Sequence, residues 1–104
     1  MGSANADLTV RVASLPKPGE TIAGGPLEVL PGGKSANQAA TVGRLGVAAT
    51  FLGAVGADPN GALLRDSLLD AGVDVSHLAE AAEATGTAMI LVDDEAENCI
   101  VISA

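Results

Sequence analysis

The chain has 104 residues, 48% of them hydrophobic, and carries 13 acidic against 5 basic side chains for a formal net charge of −8. That balance leaves no basic patch for nucleic-acid phosphates or an anionic lipid surface, and one cysteine with one histidine can neither close an internal disulfide nor fill a structural zinc site. No apolar run reaches the roughly 20 residues of a membrane helix and no apolar leader precedes the first polar residues, so the expectation is a cytoplasmic globular chain of about one domain.

Asp7 to Val12 alternates polar and apolar side chains, which predicts a half-buried strand. Pro16-Lys17-Pro18-Gly19 forms a turn. Thr21 to Leu30 reads as a second extended segment, and its Gly24-Gly25-Pro26 interruption marks a bulge or a sheet edge. Pro31-Gly32-Gly33 breaks the chain again. From Ser35 to Leu45 the small residues Ala36, Ala39, Ala40 and Gly43 recur at helical spacing, with Gly46 as the stop. A helix face this small can lie close against a sheet.

Val47 to Val55 is almost continuously apolar, the pattern of a strand buried on both faces of a parallel sheet. Asp58 and Pro59 then open a second helix, the carboxylate accepting from free N–H groups and Pro taking the first helical position. Leu64 and Leu68 form its buried stripe, flanked by Leu63 and Leu69, and Gly72 ends it. Ala79 to Ala84 leaves helix and strand open. Thr87 to Val92 and Cys99 to Ile102 are β-rich, joined by the acidic stretch Asp93 to Asn98, which has hairpin length. Strand, helix, buried strand and helix in succession make an α/β fold. Because the chain stops at Ala104 directly after an apolar strand, with no helix to cover it, both ends are expected to be cut from something longer.

Two clusters offer chemistry. Gly32-Gly33-Lys34-Ser35 before a helix invites comparison with a phosphate-binding P-loop, but the first glycine of that motif would fall at position 28, which is Glu28. A glutamate lacks the backbone freedom required and repels phosphate. The segment still combines close backbone approach, a helix start with free N–H groups, three donors on Lys34 and the mixed donor and acceptor of Asn37. That set suits a polyhydroxyl or anionic ligand; a glycine turn into a capped helix with a solvated Lys34 fits the spacing equally well. Asn5 and Asp7, two residues apart at the mouth of a strand, point to one face and suit a vicinal diol. An Asx turn at a strand start, or a tag remnant in Met1-Gly2-Ser3, is the competing account.

Gly2-Ser3-Ala4-Asn5-Ala6-Asp7, Pro18-Gly19-Glu20-Thr21 and Gly32-Gly33-Lys34-Ser35-Ala36-Asn37-Gln38-Ala39, in this order, resemble the N-terminal part of the ribokinase branch of the PfkB-type carbohydrate kinases. Gly43-Arg44-Leu45-Gly46, Gly53-Ala54-Val55-Gly56-Ala57-Asp58 with Gly61, and Thr85-Gly86-Thr87-Ala88 extend the resemblance over the whole chain. It implies a ribokinase-like α/β sandwich with a projecting β-sheet lid, of which this chain is the N-terminal part. The lid strands fall roughly at 7–34 and 87–104, the start of the α/β core roughly at 35–86, and a first central strand is expected just before Gly2. By the same resemblance Asn5, Asp7, Gly33, Lys34 and Asn37 hold sugar hydroxyls. The implied reaction is transfer of the ATP γ-phosphoryl group to the 5-hydroxyl of D-ribose, with Mg²⁺ and a monovalent cation such as K⁺, in a homodimer joined through the lid. The family's Gly-Ala-Gly-Asp motif, with its catalytic base and nucleotide pocket, is not present in this chain, so no residue here is carried over as a catalyst. The chain alone is expected to bind no cofactor and to be inactive.

The remaining polar residues read more plainly. His77 stands alone among small residues, as a structural or surface position. Cys99, in an apolar strand, is expected to be a buried small hydrophobe. Asp93, Asp94, Glu95 and Glu97 lack calcium-loop spacing and are expected at a solvated hairpin tip. Asp66 and Asp70 are solvated helix positions. The alternatives are a non-catalytic β-lid module that dimerises or binds sugar, or a kinase for another sugar or nucleoside of the same family.

Overall fold

The computed structural model describes residues 3–103. Gly2 at the head of the first motif and the Ala104 terminus lie outside the described residues. In chain order the elements are β1 (Asn5–Arg11), β2 (Glu28–Gly32), α1 (Lys34–Arg44), β3 (Gly53–Gly56), α2 (Pro59–Asp70), β4 (Leu78–Ala81), β5 (Thr87–Val92) and β6 (Asn98–Ser103). They form a four-stranded sheet in the order β2-β1-β5-β6 and a two-stranded parallel sheet of β3 and β4. In the larger sheet β1 runs antiparallel to β2 and parallel to β5, and β6 returns antiparallel to β5.

The local chemistry of α2 is as read from the sequence. The Asp58 carboxylate accepts from the Gly61 N–H at 2.7 Å, Pro59 is the first helical residue, and Gly72 turns away at φ +83°. Leu64 and Leu68, one helical turn apart, are 1% and 2% exposed. They anchor a core that also takes Phe51, Val55, Val73, Val75 and Leu78, with Ala36 and Ala40 of α1 packed close because they are small. Gly46, at φ +80°, ends the turn after α1.

Several expectations are corrected. Residues 21–27 form no strand, and Pro31-Gly32 does not break the chain but completes β2. β2 is an edge strand, where a residue without an N–H is tolerated. The helix begins at Lys34, not Ser35, and its cap position is Gly33, which supplies no side-chain bond. Val47 to Val55 is not a doubly buried strand: only Gly53–Gly56 is β, joined by an isolated Thr50–Asp74 bridge, and Val47 and Leu52 are exposed. The inward positions Phe51, Gly53 and Val55 alternate with outward ones, because successive strand side chains point to opposite faces and the helices cover one of them. The open segment after Leu78 resolves as strand β4. Cys99 is exposed, because β6 is the outermost strand and all six of its residues face solvent.

The helices meet the larger sheet at β1 and β2, whereas β5 and β6 project beyond them. The shape follows: extents of 45 × 32 × 20 Å and a radius of gyration of 15.3 Å, against about 13 Å for a compact chain of this length.

Candidate functional site

The five residues singled out in the sequence converge on the junction where β1 begins, β2 ends and α1 starts. Asn5 and Asp7 alternate with buried Ala6 along β1, so both stand on the same face of the sheet, each half-buried. The register sets their neighbours: Asn5 lies opposite Gly32 of β2, and Asp7 opposite Leu30 of β2 and Ala88 of β5. A Cβ added to Gly32 would overlap the Asp7 carboxylate, and one added to Gly86 would lie 2.6 Å from the Asn5 Oδ1. The two polar side chains therefore stand over a floor of Gly32, Gly86 and Ala88. No larger side chain shares that floor without displacing them.

Gly33 joins this floor to the helix. Its φ of +95° turns the chain from β2 into α1, and a Cβ there would lie 2.7 Å from the Ser3 carbonyl oxygen and 2.9 Å from the Ala4 Cα. The backbone of α1 is thereby laid directly on the lead-in to β1. The Ala36 N–H donates to the Ser3 carbonyl at 3.2 Å and the Asn37 N–H to the Gly33 carbonyl at 2.9 Å. Of the first-turn N–H groups, those of Lys34 and Ser35 have no partner among the described residues. The Lys34 and Asn37 side chains are exposed. No side-chain hydrogen bond joins any two of Asn5, Asp7, Lys34 and Asn37. Chemically this is a set of one carboxylate, two side-chain amides, two free backbone N–H groups and one ammonium beside a small-residue floor.

The cradle is open. Asn37 borders a groove of about 410 Å³ that runs between α1 and α2 toward Leu30 and Pro31. The P-loop account fails in the fold as it does in the sequence, because Glu28 pairs with Thr9 inside β2 and cannot belong to a phosphate-wrapping loop. Among the described residues no group of three His, Cys, Asp or Glu side chains could hold a metal ion, and no helix is long and apolar enough to cross a membrane. His77 is exposed, and Asp66 and Asp70 are solvated on α2. Beside His77, Asp74 closes a short turn by accepting from the Ser76 N–H at 2.9 Å, which holds its carboxyl below the usual range. The sequence reading missed Gly32, Gly86 and Ala88 as the floor. The available signal was a Thr-Gly-Thr step immediately before a strand, which becomes meaningful only when β5 is placed beside β1.

The chain is 38% identical to the ribokinase of Haemophilus influenzae over 104 residues, covering 99% of this chain and 34% of that protein. Its fold superposes on Arabidopsis thaliana ribokinase complexed with ribose and ATP with a TM-score of 0.86 at 39% identity, covering 98% of this chain and 34% of that one. The ribokinase of Cryptococcus neoformans in complex with ADP gives a TM-score of 0.87 at 37% identity, with 98% and 32% covered. The chain spans about a third of the length of these relatives, and its architecture is the ribokinase-like α/β fold over that part. With the model of the pfkB family carbohydrate kinases matching residues 1–104, the chain belongs to that family of phosphotransferases.

Proposed function

We propose that this chain is the sugar-binding part of a cytoplasmic kinase that transfers the ATP γ-phosphoryl group to the 5-hydroxyl of D-ribose. The observation that carries the proposal is the paired Asn5 and Asp7 over the Gly32–Gly86 floor, at the foot of a helix that starts Gly33-Lys34. An ionised carboxylate accepts from two adjacent hydroxyls at once, and Asn5 supplies a donor and an acceptor beside it. Small residues beneath let a flat, hydroxyl-bearing ring approach the sheet. In this reading Lys34 and Asn37, in the first turn of α1, add an ammonium and an amide. Held this way, the sugar loses rotational freedom and presents one hydroxyl in a fixed direction, which is the main contribution a protein makes to phosphoryl transfer. ATP, Mg²⁺ and an activating K⁺ belong, in this proposal, to the two thirds of the relatives' length that this chain does not span. The larger sheet, with its segments roughly at 7–34 and 87–104, acts as the lid over the sugar.

Calorimetric titration with ribose tests the reading, with fructose and adenosine as competitors. Asp7→Ala removes charge-assisted bonds worth about 1.5–3 kcal/mol each, so ribose affinity is expected to fall about a hundredfold or more. Wild-type affinity in the folded variant would refute the assignment, and tighter binding of fructose or adenosine would move the substrate within the family. The 104-residue chain by itself is expected to show no ATP-dependent turnover of ribose.

A second reading, a homodimer joined through the lid, is favoured by β6. This edge strand leaves Ile100, Val101 and Ile102 at 52%, 60% and 66% exposure, with Met89 beside them at 50%. An uncovered apolar edge of this kind invites association. Sedimentation at micromolar concentration decides it, a monomer counting against the dimer.

A further inference from the structure

The loop before β5 is held by a side-chain network that the sugar site does not itself contain. Thr85 is the one buried polar residue among the described residues, at 6% exposure. Its hydroxyl donates to the Asp58 Oδ1 at 2.6 Å and accepts from the Gly56 N–H at 2.9 Å. Its N–H donates to the Asp58 Oδ2 at 2.9 Å. The same carboxylate accepts from the Gly61 N–H. One aspartate thus holds the first turn of α2 and both polar groups of Thr85, and Thr85 in turn holds the C-terminal end of β3. The next residue, Gly86, closes the path: its carbonyl accepts from the Ala6 N–H at 2.9 Å, and its missing side chain is the floor under Asn5. Ala6 is the residue between Asn5 and Asp7.

We infer that Asp58 and Thr85 are positioning residues for sugar recognition, fixing the height and direction of Asn5 and Asp7 through Gly86 without touching the ligand. The inference deepens the proposed function and rests on its assignment of Asn5 and Asp7. An N-cap needs one acceptor, and serine serves as well there. The second carboxylate oxygen and the buried threonine exceed what capping requires. Buried polar groups with every partner satisfied hold one geometry rigidly, and a recognition site depends on such support behind its contacting residues. The hydrogen bonds from Thr85 keep the Asp58 carboxyl below the usual carboxylate range, as expected of a group whose ionised form the network needs.

Asp58→Ser separates the two roles, since it keeps an acceptor for Gly61 but loses both bonds to Thr85. In the intact kinase carrying this chain, the KM for ribose is expected to rise about tenfold in Asp58→Ser and in Thr85→Val. The KM for ATP stays within about twofold, and Thr85→Ser, which retains the hydroxyl, restores the ribose KM. A purely structural cap predicts instead a lowered melting temperature with an unchanged ribose KM in Asp58→Ser, and that result overturns the inference. Amide hydrogen exchange supplies a readout independent of substrate. Exchange at Ala6 is expected to accelerate in Thr85→Val while Leu64 in the core stays protected, and unchanged exchange at Ala6 also overturns it. If the wild-type enzyme ignores ribose, the proposed function fails, and the Ala6 exchange still decides whether the network holds β1.

Discussion

Replacing Gly33 by alanine probes the junction on which the candidate site is built. Two costs add at this position. The first is conformational: at φ +95° and ψ +127° the backbone occupies a region essentially reserved for glycine, and a Cβ there costs about 1–3 kcal/mol. The second is collision. The new methyl would sit 2.7 Å from the Ser3 carbonyl oxygen and 2.9 Å from the Ala4 Cα, and neither neighbour is a side chain that can swing away. The lead-in to β1 must move by several tenths of an ångström, an overpacking cost of about 1–3 kcal/mol. Gly46 separates the two effects. It has a similar φ of +80°, but nothing lies within 4 Å of the point a Cβ would occupy, so Gly46→Ala bears the conformational cost alone. Urea unfolding is therefore expected to give a loss of about 2–6 kcal/mol for Gly33→Ala and about 1–2 kcal/mol for Gly46→Ala. Because the displaced segment carries Asn5 and the Ser3 carbonyl that receives the Ala36 N–H, ribose affinity should fall in Gly33→Ala and hold in Gly46→Ala. Equal losses of stability in the two variants would refute the packing argument.

Further expectations concern the core and acid stability. Leu64→Ala, at a side chain 1% exposed, is expected to cost about 2.7–5 kcal/mol, whereas Leu69→Ala, 51% exposed on the same helix, stays within about 0.5 kcal/mol; comparable denaturation midpoints for the two would contradict the placement of the core. The Asp58 carboxyl is held below its ordinary range by Thr85 and Gly61. Its contribution is therefore present above the unfolded value of about 3.9 and is lost as pH falls through the lower folded value. The stability gap between wild type and Asp58→Asn, followed by urea midpoint against pH, should be full at neutral pH and close below about pH 4; a gap that stays constant to the acid end would remove the ionised network.

The exposed apolar residues concentrate on the larger sheet and around β3. Both edge strands of the four-stranded sheet carry aliphatic side chains in solvent, and Val47 and Leu52 lie uncovered near β3. The chain spans about a third of its relatives' length.

Where structure depends on residues near each other in the chain, it was legible from the amino acids alone. Asp58, Pro59 and Gly72 bound α2 because capping and left-handed turns are local, and Leu64 with Leu68 show its buried stripe at helical spacing. Thr87 to Val92 and the acidic turn to Asn98 mark the β5–β6 hairpin for the same reason. Tertiary structure decided what depends on which strand lies beside which. Cys99 is exposed because β6 has no outer neighbour, and Pro31 continues a strand because β2 is an edge. Val47 to Val55 yields only a short strand because a single partner pairs with it. The pairing of Asn5 with Gly32 on one side and Gly86 on the other, and the Asp58–Thr85 support behind it, likewise arise only when distant segments meet. Composition and spacing single out Asn5 and Asp7 as hydrogen-bonding groups; the register of β2, β1 and β5 puts them over one floor.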